Sequence, residues 1–599
     1  MALFAPSESP AVVVKEIDLT GGVPNVQSTT GAMTGNFRWG PVLQRQNIAN
    51  EAELVSTFAA PDDTNAIDFL TATQFLRYSS NMVVVRNIDS DGNGNEAASA
   101  FTLQNGTADS SGLDNPLILN TADFATRQAG LEAVDDSDGN QYGFVAKFPG
   151  DLGNSLKVSF LPAQSADSDS NWAAWVYNGS FDAKPGTSTF AAANGATYDE
   201  MHVVIVDEDG KFSGTRGTVL ETFPNLSIIK GAKNTEGSSI YAKDVINATS
   251  QYAWLINFNS AIDSVGGGST IVNNKNYILS ASNRAATNIS FANGVNSGTL
   301  KIGAHLSGND LFEDRDQVEV DFLIAPNFAT ATDQQTVVND LVATAQSLRK
   351  DCMVVSSPNR DAILGTSNDA TRVSNTVTTV SGFTKSSYLV VDNNFVKVYD
   401  KYNDKYVDIA AASTVAGIMA ATDYNRAPWF SPAGTRRGQL LGITSIAYSP
   451  TKGQRDTLYK AGVNPIANIP GQGVLLFGDK TFLGRVSAFD RINVRRLFLV
   501  LERAIGRAAE QVMFEFNDEF TRAEFVNIIE PVLREVKGRR GISDFRVVCD
   551  ETNNTGAVID RNEFIANIFI KPARSINYVS LNFVAVRTGV DFEEVVGTV

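Results

Sequence analysis

The clearest alternation of apolar and polar positions lies in residues 489–599, where a helical period gives way to a strand period. Val494, Phe498, Leu501 and Ile505 recur at spacings of four, three and four, one face of a helix. Arg496, Arg503 and Arg507 share a different face of it. Ser487 with Asp490 predicts a capping-box start. A second helix is predicted from Thr521, with Glu524 three residues on. Phe525, Ile528, Ile529, Val532 and Val536 form its stripe and Gly538 its stop. Pro531 predicts a kink or a displaced start. Three strands follow, over 544–549, 562–570 and 575–587. In the last, Val579, Leu581, Phe583 and Ala585 alternate with Tyr578, Ser580, Asn582 and Val584.

Earlier in the chain the patterns are shorter. Residues 11–19 (AVVVKEIDL) read as a strand around Val12, Val13 and Val14, and Gly21, Gly22 and Pro24 follow as a hinge or linker. A lone terminal strand must join a sheet of its own chain or of another. Asn50 is predicted to cap a helix, a second helix spans 64–78, and 82–86 is a buried-type strand. Residues 89–138, rich in Ser, Asp, Asn and Gly, read as a surface insertion, and 163–192 as polar and irregular. Strands are predicted at 201–206, 219–221 and 252–257. Residues 318–325, 333–349 and 352–356 form a strand–helix–strand unit with a parallel crossover. Strands over 388–391 and 395–399, a turn at Asn403–Asp404 and a small-residue helix near 409–421 come next.

Length and charge narrow the function classes. At 599 residues the chain exceeds one core, so three or four domains are expected. No apolar run approaches the roughly 20 residues that span a bilayer, so no membrane insertion is expected. The start, MALFAPSESP, has no charged or apolar signal region, so no secretory signal is expected. Cys352 and Cys549 sit in apolar runs and are expected as buried free thiols, which suits a reducing compartment. A net charge of −17 argues against nucleic-acid binding. With two histidines, His202 and His305, histidine catalysis and zinc chemistry have little to draw on.

Three patterns imitate binding motifs. Residues 473–481 (GVLLFGDKT) approach a P-loop, but Asp479 separates Gly478 from Lys480 and puts negative charge where phosphate would sit. Asn87, Asp89, Asp91 and Gly92 begin like a calcium loop, yet Ala98 holds the place of the closing glutamate. In the acidic turn at 136–139, Val134 holds the first ligand position. Lys537, Arg539 and Arg540 suit a helix C-terminus. No catalytic, cofactor-binding or metal residues are assigned.

Several longer stretches belong together: FDRINVRRLF (489–498), MFEFNDEFTR (513–522), FRVVCDETNNT (545–555), VIDRNEFIA (558–566) and PARSINYVSLNFVA (572–585). TGNFRWGP (34–41), NEAELVSTFAAP (50–61), YGFVAKFPGDLGNSLKVSFL (142–161), YDKYND (399–404), APWFSPAGTRRGQLL (427–441) and QRDTLYKAGVNPI (454–466) extend them. On these stretches the chain resembles the contractile tail sheath proteins of myovirus-type, T4-like bacteriophages.

The resemblance implies a mixed α/β (α+β), multidomain chain with discontinuous domains. A C-terminal assembly domain of helices and a small sheet would be completed by terminal strand arms. The expected parts are an arm at 1–25, a middle α/β domain from 26–88 and 139–350, a reduced insertion at 89–138, a second α/β domain at 351–485 and the assembly domain at 486–599. The implied inter-subunit arms hold Val12, Val13 and Val14 at one end and Val579, Leu581 and Phe583 at the other, with hinges at Gly21, Gly22 and Pro572. Arg496, Arg503 and Arg507 are the implied tube-facing residues. The implied partners are further copies in hexameric rings, the tail tube protein, and the baseplate and tail terminator proteins. No cofactor is implied, and the place of action is the virion after assembly in the host cytoplasm. Open alternatives are the sheath of a phage-tail-like bacteriocin or type VI secretion system, and a nucleotide-binding enzyme using the 473–481 turn.

Overall fold

The computed structural model of the chain describes residues 29–89, 97–103, 113–133, 141–163, 169–258, 286–298 and 300–576. Val12, Val13, Val14, Gly21, Gly22, Val579, Leu581 and Phe583 lie outside them. The chain divides into two compact units. Among the described residues, one takes 29–426 with Pro432–Ile492, and the other takes Ala427–Ser431 with 493–576.

The larger unit is organised by a six-stranded sheet. In space its strands run Leu389–Val391, Met353–Ser356, Phe322–Ile324, Gly31–Gly35, Met82–Arg86 and Arg45–Ile48. All neighbours are parallel except the last pair. The five parallel strands are buried along their whole length, and runs such as MVVV and LVV suit a sheet covered on both faces. Helix Ala66–Leu76 sits so close that a Cβ on Gly31 would lie 2.5 Å from the Phe75 ring, which is why this strand begins with glycine. The predicted strand at 82–86 and the parallel crossover are both present. Phe322 pairs with Met353 across helix Ala331–Ala343, which continues as a π-helical turn over Thr344–Arg349.

Strand pairing crosses two of the expected domain boundaries. Met353–Ser356 belongs to the same sheet as Phe322–Ile324, so a division at 350 cuts a parallel ladder. Phe101–Leu103 pairs with Tyr142–Ala146, which pairs with Ala253–Leu255, so part of the expected 89–138 insertion is core. Phe101 is fully buried, and Phe124, from helix Thr121–Ala133, stacks on Trp254 at 4.0 Å. A separate antiparallel sheet orders Thr287–Ser290, Leu156–Pro162, Glu200–Asp207 and Thr218–Ser227. The expected irregular stretch 163–192 contains helices Asp169–Ala174 and Thr189–Ala193, and buries Trp175.

Arg86 ties this unit together. Its guanidinium donates to the carbonyls of Phe37 (2.7 Å), Gly40 (2.8 Å), Arg38 (3.3 Å) and Pro149 (2.7 Å). Further on, Phe395–Asp400 and Lys405–Ala410 form a hairpin, and the Asp400 carboxylate accepts from the amides of Tyr402 and Asn403 in its turn. The ladder takes up Ile409 and Ala410, so the helix expected near 409–421 begins later, as Ala412–Asn425.

In the smaller unit, helices Ile492–Glu510 and Glu519–Gly538 and the hairpin of Ile542–Val548 with Asn567–Pro572 enclose one core. Leu497, Leu501, Phe525, Ile529, Leu533, Val536 and Ile542 fill it, together with Ala427 and Trp429 from a distant stretch of sequence. The Trp429 indole donates to Arg539 O at 3.1 Å.

Several local expectations shift. Ser487 caps the short turn Ala488–Asp490, and the first helix starts after it, because Arg491 is extended. The second helix starts at Glu519, where the Asp518 carboxylate accepts from Thr521 N at 2.8 Å, and it runs through the exposed Pro531. Leu497 and Leu533 take core places expected of Phe498 and Val532, which are half-buried. The strands expected at 544–549 and 562–570 occur at Ile542–Val548 and Asn567–Pro572.

Candidate assembly surface

The C-terminal hairpin is an unfinished sheet. Among the described residues it has two strands, paired from Ile542 with Pro572 to Val548 with Asn567, so each strand keeps one edge without a ladder partner. Two strands alone are marginal in water, and here the half-buried Ile568 and Ile570 rest on the helical core while Phe569 and Lys571 face out. Pro572 holds the last ladder position, and Ala573 N donates to Gly541 O at 3.1 Å just beyond it.

The arginine stripe reaches the surface only in part. Residues 492–497 are all buried, so the helix start is enclosed on every side and Arg496 is 2% exposed. That removes Arg496 from the expected tube-facing set. Arg503 and Arg507, two and three turns on, are half-buried. The basic run at the end of the second helix is matched locally. Lys537 pairs with Asp544 at 3.0 Å and holds that carboxyl below its usual range, and Arg539 pairs with Glu535 and lies over the Trp429 ring. The turn between the two helices carries exposed Met513, Phe514 and Phe516, and the first turn of the second helix adds exposed Phe520. Sequence periodicity gave no sign of this, since Phe–x–Phe reads equally well as core.

The motif-like patterns resolve into structure. Gly473–Leu476 is a hairpin strand, Asp479 is buried against Arg491 at 2.9 Å, and the Lys480 ammonium donates to Tyr459 O at 2.8 Å. The lysine faces a tyrosine, and the long helix that follows starts only at Ile492, whose amide donates to Asp479 O at 2.8 Å. Asp89 lies 3.7 Å from Lys301, whereas Asp91, Gly92, Val134 and residues 136–139 are outside the described residues. Among the described residues no group of three or more His, Cys, Asp and Glu is placed to hold a metal.

His202 donates from Nε2 to Ala183 O (2.7 Å), accepts at Nδ1 from Asn225 N (3.0 Å) and stacks on Phe181, so both ring nitrogens serve the fold. Burial pushes His305 down to about 4. Cys352 and Cys549 are buried and form no disulfide, and burial raises the Cys549 thiol.

Comparison with known proteins places these surfaces within a family. Residues 305–482 match the phage tail sheath protein central domain, and residues 486–585 the phage tail sheath C-terminal domain. The chain is 32% identical to the tail sheath protein of Enterobacteria phage T4, over 98% of this chain and 99% of that one. The chain belongs to the phage tail sheath family. It is 31% identical to the tail sheath protein of Vibrio phage KVP40, again over 98% and 99% of the two chains. Its fold is similar to that of the sheath tail protein Lin1278 from Listeria innocua. That likeness has a TM-score of 0.52 at 10% identity, over 92% of this chain and 93% of that one. As a subunit of a contractile tail sheath, a structural part of the virion, the protein works through contacts with other chains.

Proposed function

We propose that the subunits stack as hexameric rings wound around a tail tube, and that this polymer shortens and widens to drive the tube through the host envelope. Assembly takes place in the host cytoplasm, between the baseplate and the tail terminator proteins. The polymer carries out no catalysis and uses no cofactor, because the free energy of contraction is stored at assembly.

The observation that carries this reading is the C-terminal hairpin, whose outer edges have no ladder partner among the described residues. Terminal arms holding Val12, Val13 and Val14, and Val579, Leu581 and Phe583, add strands to such edges in neighbouring subunits. A strand making about five backbone hydrogen bonds gains roughly 0.5–1.5 kcal/mol from each. The entropy of ordering the arm offsets much of this, so one arm is marginal whereas many arms in a lattice are not. Gly21, Gly22 and the segment around Pro572 let the subunit bodies turn while the strands stay paired.

Electron microscopy of the intact chain, and of a chain lacking 579–599, tests the arms. Long tubes from the first and monomers from the second are expected; tubes from both would sink the arm account. Arg503 and Arg507 face the acidic exterior of the tube in this reading. Arg503→Glu with Arg507→Glu should leave the monomer folded and abolish co-assembly with the tube protein. Unchanged co-assembly would remove both residues from that contact.

A further inference from the structure

The turn between the two long C-terminal helices concentrates large apolar side chains at the surface. Met513 is 56% exposed, Phe514 104%, Phe516 83% and Phe520 77%. Glu510, Glu515, Asp518 and Glu519 lie among them, all exposed, and no Lys or Arg occurs between Arg507 and Arg522. Asp518 is occupied as a helix cap, which leaves the other three carboxylates facing water. The turn is therefore both aromatic and acidic.

The larger unit carries a surface of opposite character. From Tyr424 to Arg455 the sequence contains no Asp or Glu, in a chain whose net charge is −17. Arg426 and Arg436 are exposed there and Arg437 is half-buried, beside an exposed Tyr424. The arginines cluster: burial, and then the charges of Arg426 and Arg436, push the Arg437 guanidinium down. The backbone beneath Arg436 and Arg437 is fixed. Gly434 N donates to Leu476 O at 2.9 Å, and Leu476 N donates to Gly438 O at 2.7 Å. Guanidinium groups on a rigid turn suit carboxylates, and their planes suit aromatic faces.

We propose that the aromatic, acidic turn at 510–520 of one subunit docks on the arginine surface of Arg426, Arg436 and Arg437 of a second copy. Glu510 and Glu515 pair with the guanidinium groups, and Phe514 and Phe516 cover their planes. Charge selects this occupant. Most of so acidic a chain repels an acidic turn, whereas the acid-free stretch accepts it. Both surfaces are present once per subunit, so the contact repeats along a polymer without a further component. The inference rests on the polymerisation proposed above.

The test uses the full chain in two variants, Glu510→Arg with Glu515→Arg, and Arg426→Glu with Arg436→Glu. All four side chains are exposed, so circular dichroism and melting should match the unaltered chain. At a concentration where the unaltered chain forms tubes, each variant alone should yield at least roughly tenfold less sedimenting polymer, because like charges now oppose each other. An equal mixture of the two variants should recover polymer containing both. Tubes from either variant alone would overturn the proposal. So would a silent mixture combined with assembly of a chain bearing all four changes, which would place the contact within one chain. Normal sheath assembly with lost tube-protein binding would assign the turn to the tube instead. Failure of the unaltered chain to form tubes, with or without tube protein, would overturn the polymer reading and the docking together.

Discussion

The two compact units treat charge and apolar surface in opposite ways. In the larger unit, two buried charged groups are met by many internal partners: Arg86 by four carbonyls, and Asp207 by Ser155 Oγ, Ser213 Oγ and the amides of Lys211, Phe212 and Ser213. Its central sheet is buried on both faces. The smaller unit leaves a two-stranded sheet open at its edges among the described residues, and sets Phe514, Phe516, Phe520 and Phe569 in water. The first arrangement is complete as a monomer. The second presents an open ladder and exposed apolar side chains, features that a further chain can cover. A subunit of a contracting polymer needs both, a body that keeps its shape and a connecting part that gains by joining.

The sharpest way to break this contrast is to attack the internal satisfaction of the larger unit. Arg86→Leu removes four donations and strands the carbonyls of Phe37, Gly40 and Pro149 in a buried site. A loss of roughly 3–5 kcal/mol is expected in urea unfolding of the monomer. Arg86→Lys should recover only part of that loss, since an ammonium cannot reach carbonyls spread around a planar fork. A loss below about 1 kcal/mol would mean that water replaces the guanidinium, and that this unit is not closed as described.

A smaller effect depends on pH. Asp392 is fully buried, and burial pushes its carboxyl from 3.8 up to about 7, against the pull of the Asn394 amide and the Ser357 hydroxyl. An acid whose folded pKa is raised contributes stability that is fully present below about pH 4 and lost as pH rises through about 7. Asp68, pushed by burial to about 6, acts with the same sign. His305, pushed by burial to about 4, acts oppositely: its contribution is present above about 6.5 and lost as pH falls. Asp392→Asn mimics the neutral acid. It should be nearly silent at about pH 3.5 and stabilise the monomer increasingly as pH rises, by roughly 2–4 kcal/mol at about pH 8. Equal effects at the two pH values would show that Asp392 is ionised in the fold throughout.

How far the sequence foretold this arrangement depends on how local each cause is. The Asn50 cap, the strand Met82–Arg86 and the parallel crossover were legible because each is a strong local pattern. Phe101 and Phe124 were hidden in polar surroundings, where composition outvoted the few apolar residues that enter the core. Trp429 joins the C-terminal core from more than sixty residues away, and no periodicity encodes that. Along the first long helix the stripe could be set on Phe498 or on Leu497, and only packing against the second helix and the hairpin decided it. Arg496 and Arg503 share a helical face, yet one is buried and the other is not, because burial varies along a helix as well as around it. The exposed phenylalanines were illegible for a related reason: a sequence records that a residue is apolar, not whether its partner lies in the same chain.

The smallest expected effect separates these two kinds of apolar residue. Phe514 is fully exposed and holds a φ of 70°, in the left-handed region that disfavours bulky L-residues by roughly 1–2 kcal/mol. Asparagine tolerates that conformation, so Phe514→Asn should stabilise the monomer by about 0.5–1 kcal/mol, read as a small rise in its urea midpoint. The same change removes a ring from the surface proposed to meet a second copy, so polymer yield should fall as monomer stability rises. A residue that served only the fold would move both quantities down together. Opposite signs at one position would show that the strained, solvated ring is kept for a contact made outside the monomer.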